Sequence, residues 1–259
     1  MISGYDHFVQ LAESLQWDET TLDLSADREA WPKLGETERD QVLGLLAGFV
    51  IAETAVAGNL GNYQVAAAGR DEKSMEEAFR SQARDEARHA RFFDLVTAEV
   101  AGIPGATAAQ RRDHLRTFVA DDLVDLFEGR LPATAERLVE DHGGLTDAVG
   151  LYHMVIEGVV LLAGQHAMLE ALEGLSHKLP GVHKGMELVL RDERWHIGFG
   201  SRVIQNADIG ADKANELLEW GESATKSWGN LITVEAIEIA MRQHRRRLKA
   251  TGIKFWSDA

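Results

Sequence analysis

Along almost the whole chain apolar residues recur every three or four positions, the spacing of a helix face, and the every-second-residue alternation of a strand is nearly absent. The pattern predicts helices over about 37–68, 72–101, 108–128, 146–174, 182–206 and 211–249, with a shorter piece near 133–141. Pro32, Pro104, Pro132 and Pro180 all fall at breaks in it. Thr37-Glu-Arg-Asp reads as the cap that opens the first long helix. The expectation is an all-α fold: a single helical domain over 1–259, with a bundle core at about 36–206 and a C-terminal helix at about 211–249.

Two predicted helices are apolar nearly all round, yet each has a carboxylate at its centre. Glu53 lies in Leu43-Gly-Leu-Leu-Ala-Gly-Phe-Val-Ile-Ala-Glu53-Thr-Ala-Val56, and Glu157 in Leu151-Tyr-His-Met-Val-Ile-Glu157-Gly-Val-Val-Leu-Leu-Ala163. The interrupted apolar runs fall short of the roughly 20 residues of a membrane span, so buried bundle helices, not membrane-spanning ones, are expected. An unpaired carboxylate in such a place costs several kcal/mol or becomes protonated.

The rest of the pattern supplies a partner for that charge. Glu86-x-x-His89 and Glu193-x-x-His196 are the same unit twice, with Glu53 33 residues before Glu86 and Glu157 36 before Glu193. Positions i and i+3 share a helix face, so each unit points a carboxylate and an imidazole the same way. One glutamate from each of two helices, plus Glu-x-x-His from each of two others, is the ligand set of a carboxylate-bridged dinuclear metal site in a four-helix bundle. Two divalent ions neutralise the four carboxylates. The repeat also predicts approximate two-fold symmetry about the metals.

Asp85 and Asp192 directly precede the motif glutamates, and each is expected to accept from the free N–H of the histidine in the opposite half. His153, one turn before Glu157, reads as a packed core histidine rather than an outer ligand. His114, His142, His177, His183 and His244 read as loop or surface residues.

Composition narrows the chemistry. The absence of cysteine excludes disulfides, thiolate ligands and iron–sulfur clusters. It fits a reducing compartment, and the start, Met-Ile-Ser-Gly-Tyr-Asp-His, lacks the basic-then-apolar order of a secretory signal, so a cytoplasmic location is expected. A net charge of −15 argues against nucleic acid as a partner, the Arg245-Arg246-Arg247 run being a basic helix end. Oxygen-rich ligands suit iron or manganese, and the ligand set serves a manganese–iron and a di-iron pair alike. Reduced ions of this kind react with dioxygen, which favours redox chemistry over hydrolysis. Of the three tyrosines, Tyr5, Tyr63 and Tyr152, the last precedes Glu157 by five residues. In an α-helix that places it about 140° away around the axis.

The segments Ala47-Gly-Phe-Val-Ile-Ala-Glu53-Thr-Ala-Val56, Asp85-Glu-Ala-Arg-His89, Tyr152-His-Met-Val-Ile-Glu157-Gly and Asp192-Glu-Arg-Trp-His196-Ile-Gly-Phe-Gly200 resemble the ribonucleotide reductase small-subunit superfamily, and within it the ligand-binding oxidases. The resemblance covers roughly 36–206. It implies a ferritin-like four-helix bundle core with additional helices, a homodimer, and a manganese–iron pair. It further implies dioxygen as oxidant, a long-chain fatty-acid-like ligand at the metals, and an ether cross-link between a tyrosine and a valine, by motif position Tyr152 and Val56. Four electrons reduce dioxygen fully: two come from a pair of divalent ions, and two from joining a C–H and an O–H as an ether.

The chain departs from the oxidase pattern at Ala52, where a glycine is expected, and at Gln165, where a tyrosine is expected. Both bear on the pocket rather than the metal ligands. The alternative is the radical-generating small subunit of a class I reductase. That branch usually keeps a tyrosine where this chain has Phe93, and relays electrons through a tyrosine in a tail that here reads Lys254-Phe-Trp-Ser-Asp-Ala259. A ferritin-like iron store or peroxide scavenger is a third reading, separable by the size of its assembly.

Overall fold

The structure is a computed structural model that describes residues 4–70, 72–141, 144–207, 209–250 and 252. Every regular element among them is helical. His142 and the segment 254–259 lie outside the described residues.

Four long helices make the core. α1 (Tyr5–Ser14) and α2 (Ser25–Ala30) precede them. α3 (Glu36–Ala68) follows, antiparallel to and extensively packed on α4 (Lys73–Glu99). α3 opens differently from the expectation: Thr37 is already inside the helix. Gly35 stands at its cap, with the Glu38 carboxylate reaching back to accept from the Gly35 N–H at 2.9 Å.

The helix expected over 108–128 is broken. α5 (Ala108–Leu115) ends in a 3₁₀ turn, Arg116–Phe118, and the chain turns at Val119 and Ala120, both extended. α6 (Asp121–Val124) then runs through a π-helical stretch, Asp125–Arg130, into α7 (Leu131–Glu140), so the short piece near 133–141 is its continuation.

The third core helix runs from α8 (Leu145–Val149) through twelve π-helical residues, Gly150–Leu161, into α9 (Leu162–Glu173). The fourth is α10 (Pro180–Ala207). Its first turn is capped from afar: the buried Asp27 carboxylate accepts from the N–H of Gly181 at 3.0 Å and of Val182 at 2.8 Å.

The helix expected over 211–249 is two, α11 (Ala211–Thr225) and α12 (Val234–Ala250). Between them Gly229, at φ +62°, takes a backbone conformation other residues resist, and Trp228 turns inward onto α3 and α9. A Cβ on Gly48 would lie 2.3 Å from that indole, and one on Gly164 2.8 Å. Both α11 and α12 pack on the π-helical stretch from outside.

α3 and the continuous helix Leu145–Glu173 are long and apolar enough to cross a membrane by length and composition, but 67 % and 89 % of their most apolar windows are buried inside the protein. They are the spine of the bundle, as their central glutamates imply.

Candidate metal centre

α3, α4, the π-helical stretch and α10 each send carboxylates or imidazoles to one point at mid-bundle. Glu53, Glu86, His89, Glu157, Glu193 and His196 are all at most 1 % exposed. Donor atoms of Glu53, Glu86, His89 and Glu193 lie within 4.8 Å of one another, and so do those of Glu86, Glu157, Glu193 and His196. Glu86 and Glu193 belong to both groups, the arrangement of two cation sites sharing two carboxylates.

The imidazoles are aimed alike. His89 Nδ1 faces Glu86 at 3.3 Å, Glu193 at 3.4 Å and Glu53 at 3.7 Å. His196 Nδ1 faces Glu86 at 3.0 Å, Glu193 at 3.5 Å and Glu157 at 3.7 Å. Both oxygens of Glu53 and Glu193, one of Glu157, and both Nδ1 atoms lack a hydrogen-bond partner within the protein. Buried polar atoms are rarely left so, and a cluster of them converging from four helices fits a pair of cations.

The electrostatics point the same way. Burial, and then the charge of Glu86, pushes the Glu53 carboxyl well above its usual range; burial and Glu193 do the same to Glu157. Burial alone would lower His89, but the carboxylates around it, Asp192 first and then Glu193, Glu53 and Glu86, carry it well up. Against burial, Glu86 and Asp85 lead the interactions that raise His196. A pair of cations would offset the negative charge that burial penalises here, and its binding would displace protons carried by these ligands.

Each outward Nε2 faces the aspartate of the other half: His89 is within hydrogen-bond reach of Asp192 at 3.3 Å, while His196 stands 3.6 Å from Asp85, too far for a hydrogen bond. Two tryptophans complete a two-fold pattern. Trp17 Nε1 donates to Asp192 at 2.7 Å, and Trp195 Nε1 donates to Asp85 at 3.1 Å. The buried Arg88 joins the halves, 2.8 Å from both aspartates, with its guanidinium 5.0 Å from the centre of the Trp17 ring. Burial would raise Asp192, yet His89, Trp17 and Arg88 hold it well below the usual carboxylate range.

Tyr152 comes into the centre as well. Its hydroxyl donates to Glu86 Oε1 at 2.8 Å and accepts from Gln82 Nε2 at 3.1 Å, while the same Gln82 amide donates to Glu157 at 2.7 Å. The π-helix removes the angular objection that an α-helix raised. With i→i+5 hydrogen bonding, residues four and five apart both return close to the starting face, so His153 and Tyr152 flank Glu157. Burial, then Glu157, keeps the phenol protonated. Val56 is buried one turn beyond Glu53 on α3.

His153 is a core residue, its Nε2 3.2 Å from Gln82 Oε1 and 3.9 Å from Glu157. Burial, then His196, depresses it to about 3, so it is neutral. His244, expected at the surface, is 1 % exposed on α12 against Gly158, because α12 covers the π-helix rather than running free. His114 and His177 are exposed, and His183 is half-buried.

Sequence reasoning missed Trp17, Gln82, Arg88 and Trp195. Arg88 and Trp195 sit inside the Asp-Glu-x-x-His units and could have been flagged by position; Trp17 reaches the site from outside the core.

Phe93 stacks face to face on Phe49, with centroids 5.1 Å apart and planes 7° apart. Behind Phe49 lies Trp228, the inner wall of a cavity of about 300 Å³ lined also by Gly44, Gly48, Val119, Leu123 and Leu231.

The family profile "Ribonucleotide reductase, small chain" matches residues 4–239, and the chain belongs to that family. Among solved structures it is similar to a glycine-to-phenylalanine variant of an R2-like ligand-binding oxidase with an anaerobically reconstituted Mn/Fe cofactor. That match has 22 % identity over 97 % of this chain and 94 % of the other, with a TM-score of 0.83. A valine-to-leucine variant with the same cofactor matches at 19 % identity, equal coverage and a TM-score of 0.80. A tyrosine-to-phenylalanine variant with an aerobically reconstituted Mn/Fe cofactor matches at 19 %, with the same coverage and TM-score. At such identities the likeness is one of fold: an all-α, ferritin-like bundle.

Proposed function

We propose that this member of the ribonucleotide reductase small-chain family is a dioxygen-activating oxidase. Its manganese and iron would be held by Glu53, Glu86, His89, Glu157, Glu193 and His196, with Asp85 and Asp192 orienting the two histidines. It binds a long-chain fatty-acid-like ligand and joins Tyr152 to Val56 through an ether.

The observation that carries this reading is the Tyr152 hydroxyl, 2.8 Å from Glu86, a carboxylate common to both ligand groups. The metal pair, when bound, supplies one-electron chemistry toward dioxygen. The rest is done by the chain. Glu86 accepts the phenolic hydrogen bond and Gln82 ties the same oxygen to Glu157, so the phenol is oriented by two of the metal-facing carboxylates. Burial denies the proton to water and directs it to the carboxylate cluster. Val56 offers a tertiary C–H on its β-carbon one turn from Glu53.

The Mn/Fe cofactors of the oxidases that share this fold support the choice of ions. The cavity beside Trp228 supports an apolar ligand. Gln165 is fully buried with both amide atoms unpartnered, so the position where the oxidase pattern has a tyrosine carries a different polar group.

Intact-mass measurement before and after aerobic metal loading tests the cross-link. The loaded protein should be lighter by two hydrogens, and Tyr152→Phe should show no change. An unchanged mass in a fully loaded sample refutes it.

One observation favours a second reading, the radical-generating subunit of a nucleotide reductase. The half-buried Trp17 reaches His89 through Asp192 in two short steps, a path suited to moving an electron between the exterior and the site. Nucleotide reduction on adding a large partner subunit would select it.

A further inference from the structure

The two sides of the metal centre repeat one another in sequence but not in the bonds that reach them. On the side of Glu53 and His89, the outward imidazole nitrogen is within hydrogen-bond reach of Asp192 at 3.3 Å. The same Asp192 oxygen accepts from Trp17 Nε1 at 2.7 Å and from Arg88 at 2.8 Å, while its other oxygen accepts from Arg191 at 3.1 Å. An aspartate pinned in this way holds the His89 ring in turn. Trp17 also lies beside that ring, with centroids 6.3 Å apart and planes 27° apart.

The side of Glu157 and His196 is built more loosely. Asp85 accepts from Trp195 Nε1 at 3.1 Å and from Gln16 at 3.1 Å, and stands 2.8 Å from Arg88. It bounds the His196 ring from 3.6 Å without bonding it, and neither ring nitrogen of His196 has a hydrogen-bond partner. The inward carboxylates differ in the same sense. Both oxygens of Glu53 are uncommitted, whereas Glu157 already accepts from Gln82 at 2.7 Å.

A carboxylate on the far nitrogen of a ligating imidazole fixes its tautomer and orientation and raises its basicity toward the metal. A cation at Glu53 and His89 therefore meets a free carboxylate and a ring already set. At Glu157 and His196 it competes with an amide and must order the ring itself. We propose that the two cation sites are unequal, the Glu53–His89 side taking the first ion and gripping it more tightly, with Trp17 as a positioning residue that acts through Asp192. The inference rests on the metal centre assigned above, but not on its reaction with dioxygen. The weaker side is the one beside Tyr152, whose hydroxyl accepts from the same Gln82 that holds Glu157. The phenol thus stands next to the ion that arrives last and leaves first.

The test titrates the full-length protein with manganese(II) alone, without dioxygen, and reads the free ion by its electron paramagnetic resonance signal. Glu157→Ala retains only the His89 side and Glu53→Ala only the His196 side. Glu157→Ala should bind manganese(II) roughly tenfold more tightly than Glu53→Ala, or better. Adding Trp17→Phe, which keeps a ring and removes the N–H, should weaken binding about 10–100-fold in Glu157→Ala and by less than about twofold in Glu53→Ala. Trp195→Phe should leave both affinities within about twofold, because His196 does not bond Asp85. A merely structural role for Trp17 would weaken both sides alike. Equal affinity in the two glutamate variants, tighter binding by Glu53→Ala, or an equal loss on both sides with Trp17→Phe overturns the proposal. Should Trp17→Phe not fold, the two glutamate variants decide alone. No uptake by the wild type would overturn the metal centre itself, and this inference with it.

Discussion

Replacing His244 with leucine should flatten the acid side of the stability profile. The imidazole is fully buried, and burial, with Arg247 adding to it, depresses it from its ordinary 6.5 to about 3. Below pH 6.5 the unfolded chain therefore binds a proton that the folded chain refuses. Stability from this group is complete above 6.5, falls as the pH drops, and is fully lost only below about 3. The difference of about 3.5 pKa units corresponds to about 5 kcal/mol in all. About 2 kcal/mol of it disappears between pH 7.5 and 5, where only the unfolded form titrates. For a chain of this size that is a fall of about 4–8 °C in the midpoint. The comparison is of metal-free wild type and His244→Leu, by urea unfolding at pH 7.5 and 5. Metal loss then contributes nothing, and His153, similarly depressed, contributes equally to both. The variant's baseline stability is immaterial; its loss between the two pH values should be smaller by about 2 kcal/mol. Equal losses in the two proteins would refute the assignment of His244 as a buried neutral ring.

Alanine at both Glu86 and Glu193 should abolish metal uptake, since both belong to each donor group, whereas Glu53→Ala or Glu157→Ala alone should spare the ion on the other side; elemental analysis of purified protein reads the stoichiometry. Asp27→Ala should cost about 3 kcal/mol, the worth of two charge-assisted bonds to the first turn of α10, and lower the melting midpoint without changing metal content. Gly200→Ala should cost about 2–3 kcal/mol, because its Cβ would lie 2.1 Å from the His153 ring. Gly58→Ala, at an exposed position of α3 with open space around it, should instead stabilise by about 0.5–1 kcal/mol, and denaturant midpoints separate the two.

What could be read from the residues and what could not divide along a physical line. The six metal-facing side chains were legible because they depend on a local rule, i and i+3 on one α-helical face, repeated at similar distances in two halves. The pairing of His89 with Asp192 of the opposite half followed from the same two-fold repeat, whereas His196 faces Asp85 from 3.6 Å without a hydrogen bond. The breaks at Val119–Ala120 and Gly229 were missed because apolar spacing continues across them, while the backbone turns to set Trp228 against Gly48 and Gly164. His244 was misplaced because nothing in α12 itself says which helix it will cover.

Tyr152 is the most instructive case, since the α-helical angle of about 140° counted against the very residue that hydrogen-bonds Glu86. A π-helix is disfavoured in isolation, and its presence over Gly150–Leu161 needs compensation from outside the segment. The packing supplies it. Leu217 of α11 fills the space above Gly150, and the His244 ring of α12 fills that above Gly158, so a side chain at either glycine would collide. The widened helix is therefore a joint product of the outer and inner layers. α11 and α12 press on two glycines, and the i→i+5 register they stabilise turns Tyr152, His153 and Glu157 together toward Gln82 and Glu86. On this argument the outer helices, which hold no metal-facing residue, set the angle at which the phenol meets the carboxylates.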